Sequence, residues 1–202
     1  GQLVSGYDFV SELAIAGDGN GIDPNPEEPA DPGAGSEAFH GTHVLGTVAA
    51  RGNNQIGVVG SAFSSRAMPL RALGVGGGGT SFDVEQAVRY AAGLPNDSNT
   101  VPSQTADIIN LSLGGGTFSL AEQNLFNDVR AAGVLVVASA GNEASGGPSY
   151  PAAYANVLSV SATTISNSSW YSRSTTTTST RRSTRTTCFI SRRSRSTISN
   201  AN

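Results

Sequence analysis

The sequence predicts an α/β protein built on a mainly parallel sheet. Short, nearly continuous apolar runs recur at Asp107-Ile108-Ile109-Asn110-Leu111, Val134-Leu135-Val136-Val137-Ala138 and Val157-Leu158-Ser159-Val160-Ser161. Stretches of helical periodicity separate the runs. Strands joined through helices pair in parallel by right-handed crossovers. Runs without polar alternation fit a sheet covered on both faces.

The elements follow in chain order. Gly6-Tyr7-Asp8-Phe9-Val10 reads as a short strand, and residues 17–38 as a Gly/Pro/acidic loop. A helix of small residues is expected from about His40 to Ala50. Arg66 to Leu73 reads as a strand in which Pro69 suits an edge or a bulge. Val84, Ala87, Val88 and Ala91 recur at spacings of three and four, which predicts a helix over Asp83–Ala92. A second helix is read over Leu120–Ala132, with Gly133 as its stop. The loops after the strands at 107–111 and 134–138 fall where parallel sheets place their sites, at the carboxyl ends of strands.

Composition sets bounds. A chain of 202 residues fits one domain with a sizeable core. Charge is segregated. Residues 1–172 hold all fifteen acids and five arginines, a balance of −10, while residues 173–202 hold seven arginines and no acid. A body and a tail of different character follow from that split. No apolar run is long enough to span a bilayer, so no membrane partner is expected, and none is expected among nucleic acids. The single Cys188 cannot form an internal disulfide. From 166 to 202 the chain is mostly Ser, Thr and Arg, which reads as a disordered polar tail or a sequence artefact such as a frame error.

Four features carry candidate chemistry. Phe39-His40-Gly41-Thr42-His43 puts two histidines at the head of a small-residue helix. Positions i and i+3 share a helix face and could hold a metal, although no glutamate lies between them as in a zinc motif. Ala140-Gly141-Asn142-Glu143 ends an apolar run, where an Asn also suits an ordinary turn. Gly74-Val75-Gly76-Gly77-Gly78-Gly79 satisfies a dinucleotide fingerprint, but a glycine run matches that pattern by accident, and the acid expected after the next strand is absent. Asp8, Asp18, Asn20 and Asp23 are oxygen donors in a glycine-spaced segment of the kind calcium takes; a solvated acidic loop is the alternative.

The blocks His40-Gly41-Thr42-His43-Val44-Leu45-Gly46-Thr47, Asn110-Leu111-Ser112-Leu113-Gly114-Gly115 and Ala140-Gly141-Asn142-Glu143 occur in an order that resembles the subtilisin-like serine proteases (subtilases). The resemblance covers roughly residues 5–165. It implies a three-layer α/β domain, truncated at both ends, with 1–165 a partial peptidase domain. It implies His40 as the general base and Asn142 as the oxyanion donor, with His43 hydrogen-bonded inside the fold. It implies that Gly77, Gly78 and Gly79 face Ser112, Leu113 and Gly114 as the two edges that hold an extended substrate. Ala138, Ser139 and Gly141 would border the first side-chain pocket, which lacks charge and so favours apolar residues. Some members bind calcium through the aspartate of a Gly-Tyr-Asp-Phe segment, which supports Asp8. The blocks for the triad aspartate and the nucleophilic serine are not found in this chain. The resemblance therefore implies a fragment of a secreted, extracellular, monomeric endopeptidase acting on polypeptides and inactive alone. A peptide-binding relative without a nucleophile and a dinucleotide-binding protein are the other readings.

Overall fold

The structure, a computed structural model, describes residues 2–29, 39–142 and 147–162, together with the backbone of 186–191. Its elements are β1 (Gln2–Leu3), β2 (Tyr7–Asp8), α1 (Leu13–Ala16), α2 (His40–Ala49), β3 (Arg66–Arg71), α3 (Ser81–Ala91), β4 (Ile108–Ser112), α4 (Leu120–Ala131), β5 (Leu135–Ser139), β6 (Val157–Val160) and β7 (Thr186–Ser191). The strands form one sheet in the order β1-β3-β7-β4-β5-β6, and β2 also pairs with β3. Every strand pair is parallel. The α/β fold and parallel sheet expected from the sequence are present.

Three layers follow from residue alternation along β3. Ala67 packs with Ala49, Val44, Leu45 and Val48 of α2, whereas Met68 and Leu70 join the main core with Ala87, Val88, Leu125 and Val129 of α3 and α4. Adjacent strand residues point to opposite faces, so α2 covers one face and the α3–α4 pair the other. Both α3 and α4 begin at a hydroxyl cap. Thr80 accepts from the Asp83 amide, and Ser119 from the Glu122 amide. Each satisfies one of the amides a helix start leaves unpaired.

Several expectations need correction. Strands β4 and β5 were read as covered on both faces, yet each alternates between buried and half-buried residues. Among the described residues, α2 is the only helix on that second face, and it lies mainly against β3 and β7. Pro69 lies on an interior strand, not an edge. β1 pairs with Arg66 and Ala67, β2 pairs with Leu70 and Arg71, and Pro69 sits at the break between them, where no amide is required. Gly6 crosses that break, and a β-carbon there would lie 2.0 Å from the Pro69 carbonyl oxygen. Residues 166–202 were read as lacking any packed element. Within them, β7 lies between β3 and β4, with Thr187 opposite Ala67 and Ile108. Its Thr-Thr-Cys-Phe-Ile run is rich in residues that favour strands. The rest of that stretch lies outside the described residues.

Candidate functional site

His40 is the first residue of α2. The helix runs antiparallel to β3: its end at Ala49 packs on Ala67, and its start shares a cavity with Pro69 to Gly77 beyond the end of β3. His40 is thereby held at the carboxyl end of the sheet. Its Nδ1 is buried and has no hydrogen-bond partner among the described residues. Burial lowers the imidazole pKa below its ordinary value, and the neighbouring His43 lowers it further. A charged ring is disfavoured by desolvation and by a like charge, so the neutral ring is the stable form near neutrality. His43, expected inside the fold, is exposed; its backbone carbonyl accepts from Thr47 Oγ1 at 3.0 Å.

Asn142 follows β5 in an exposed loop, and Gly141 turns the chain there with φ of 94°. A left-handed residue is what lets the loop double back directly after the strand, and glycine takes that conformation without strain. The neighbouring loop after β4 is tied to β5 by Ser139 Oγ, which donates to the Leu113 carbonyl at 3.2 Å. Asn110 Nδ2 donates to Ser112 Oγ at 2.9 Å, and the Gly115 amide donates to the Tyr150 carbonyl at 3.1 Å. Ala138 is only 1% exposed and belongs to the core, whereas Ser139 and Gly141 are half-buried.

Gly77, Gly78 and Gly79 line one side of a cavity of about 250 Å³, and Leu113 and Gly114 line the other. Of the residues read as the two edges, all but Ser112 border this one space. Its floor comes from α3 and α4: Val84, Glu85 and Val88 from the first, Glu122, Leu125 and Phe126 from the second. The glycine loop leads into the Thr80 cap of α3, and the first turn of α3 carries Asp83, wholly buried with neither carboxylate oxygen partnered among the described residues. A carboxylate in the first turn opposes the phosphate that a dinucleotide would bring to that helix start.

The four proposed calcium ligands sort into two sets of contacts. Asp8 is fully buried; its Oδ1 accepts from the Val10 amide at 2.7 Å and its Oδ2 from Arg71 Nη1 at 2.5 Å. Asp18 accepts from the same Arg71 nitrogen at 2.9 Å, and Arg71 Nη2 donates to the Ala16 carbonyl. Asp23 instead accepts from Asn20 Nδ2 and from the Asn25 amide, each at 2.5 Å. Among the described residues no three His, Cys, Asp or Glu side chains are grouped to hold a metal ion. The cation that Asp8 and Asp18 surround is a guanidinium, so the four donors do not fit one ion as arranged. Arg71 was missed in the sequence, though an arginine closing an apolar strand is an unusual enough placement to mark it.

A histidine at the start of α2 and a cavity between the loops after β3 and β4 lie at the carboxyl end of a parallel sheet, where α/β proteins place their sites. The chain belongs to the subtilase family (peptidase S8), whose model matches residues 15–192. It is 42% identical over 175 residues to an extracellular protease of Xanthomonas campestris pv. campestris, covering 81% of this chain and 30% of that protein. It is 36% identical over 180 residues to an extracellular basic protease of Dichelobacter nodosus, with the same two coverages. A solved structure of a Pseudoalteromonas arctica protease superposes with a TM-score of 0.73 at 36% identity, over 79% of this chain and 50% of that one. The chain therefore spans about a third of these curated relatives and half of the solved one. Among the described residues no helix is long and apolar enough to cross a membrane.

Proposed function

We propose that this chain is the part of a secreted serine endopeptidase that carries the general base, His40, and the oxyanion donor, Asn142. Its triad aspartate and serine come from segments not found in this sequence. The observation that carries the reading is His40 itself. An imidazole that takes a proton on Nε2 works when Nδ1–H is held by an acceptor. Here Nδ1 is buried, has no partner among the described residues, and belongs to the first residue of α2. An added carboxylate would satisfy that atom, orient the ring and stabilise the imidazolium formed in catalysis. Asn142, beyond β5, would donate to the oxygen on which charge develops. An extended peptide would lie between Gly77–Gly79 and Ser112–Gly114, held by backbone pairing that tolerates many sequences. The names of the two bacterial relatives, both extracellular proteases, support the peptide substrate and the secretion.

A serine-directed fluorophosphonate tests the reading. The full-length protease should be labelled once per active site, and the 202-residue chain not at all. Stoichiometric labelling of any serine in this chain overturns it. Calcium stays outside this mechanism, because Arg71 already holds Asp8 and Asp18. Melting with calcium and with chelator tests that choice: equal midpoints leave the guanidinium as the only cation, while a rise with calcium that Asp23→Asn removes would restore the ion.

A further inference from the structure

The cavity between the two edges is not neutral. Glu85 of α3 and Glu122 of α4 both border it, each half-buried, amid Val84, Val88, Leu113, Leu125 and Phe126. Burial raises the Glu85 pKa first and the Glu122 charge raises it further, against a smaller opposing effect of Arg89. Glu122 accepts from the Tyr154 hydroxyl, which orients it. Arg89, one turn along α3, is the cation acting on Glu85 and does not border the cavity. At about 250 Å³ the space falls below the range of about 300–1,000 Å³ usual for whole small-molecule sites, which suits a single side chain.

We infer that this cavity is a specificity pocket for a cationic side chain of the peptide substrate, arginine ahead of lysine, with Glu85 and Glu122 as its determinants. The inference rests on the reading of the flanking segments as substrate edges. Chemistry supports the choice of residue. Val84 and Leu113 would cover the aliphatic stem, and the carboxylates would meet the charged head. A planar guanidinium offers several donors and can bridge two carboxylates, which an ammonium does less well. A cation would also offset the mutual repulsion of two acids in apolar surroundings. Neither Ser139 nor Gly141, read from the resemblance as borders of an uncharged first side-chain pocket, lines this cavity, so a preference for apolar residues there and for arginine here can coexist in one substrate.

The test is a positional-scanning peptide library on the full-length protease, with each position fixed in turn as Arg, Lys, Leu or Glu. At one position, arginine should exceed leucine in kcat/KM by about tenfold or more, the scale of hydrogen bonds to charged groups. In Glu85→Gln/Glu122→Gln the Arg:Leu ratio at that position should fall to near one. The ratio is internal to each enzyme, so a lower folded fraction does not disturb it, and the single Glu85→Gln variant should give an intermediate value. Cleavage with no arginine preference at any position overturns the inference alone. A preference that survives the double substitution also overturns it. Failure to cleave any member overturns the peptidase reading together with it.

Discussion

At the scale of single residues, His40 and Asn142 separate by the step in which each acts. In the full-length protease His40→Ala should abolish turnover while substrate-analogue binding persists, because a base acts in the chemical step. Retained turnover would remove His40 from its role. Asn142→Ala should lower kcat by about 3 kcal/mol of barrier stabilisation with little change in KM, a scale taken from a subtilisin donor and not from this chain. A loss that fell mainly on KM would make Asn142 a substrate-positioning residue. In the 202-residue chain itself, His40 should titrate below the ordinary histidine value when followed by NMR, since burial and His43 both disfavour its charge. A midpoint at or above that value would mean the ring is not desolvated. The histidine was legible because it sits in a block of eight residues. The state of Nδ1 was not, because it depends on which segments of the fold come near the ring.

At the scale of elements, the ends of β2 and β3 meet in the Asp8–Arg71–Asp18 cluster, directly before the glycine loop. Burial raises the Asp8 pKa to about 6, although Arg71 and the Val10 amide act in the opposite direction. A carboxyl with a raised folded pKa binds its proton more tightly folded than unfolded. Its contribution to stability is fully present below the unfolded value and is lost as pH rises through about 6. The melting temperature should therefore gain from this group between pH 7 and pH 5, and Asp8→Asn should flatten that part of the profile. An unchanged slope in Asp8→Asn would assign the dependence elsewhere. Helical periodicity placed α3 and α4, and continuous apolar runs placed β4, β5 and β6, within a few residues. They missed α1, whose four residues are too few to show a period, and β1, whose two residues show no pattern. Asp8 and Asp18 were read with Asn20 and Asp23 as calcium ligands; the arginine that holds the two aspartates lies more than fifty residues away in sequence, beyond any local signal.

At the scale of the whole molecule, the sheet is organised around β7. It is flanked by β3 and β4 and lies beneath α2, yet it comes from the Ser/Thr/Arg-rich stretch that sequence reading set apart from the fold. The layering was legible because helices alternate with apolar strands. Strand order was not, because a late segment can enter between two earlier ones without any mark in their sequences. The placement makes β7 decisive for the rest. Its partners pair with it over Arg66–Pro69 on one side and Ile108–Ser112 on the other. Removing it would leave two long rows of unpaired backbone groups facing each other across an opened sheet. Unpaired edges recruit other chains. A chain ending at residue 165 should therefore associate and lose its cooperative melt. Light scattering during size-exclusion chromatography and circular dichroism decide the matter together. A truncated chain that stays monomeric and melts at the same temperature as the parent chain would show that β3 and β4 need no partner between them, and would take β7 out of the fold.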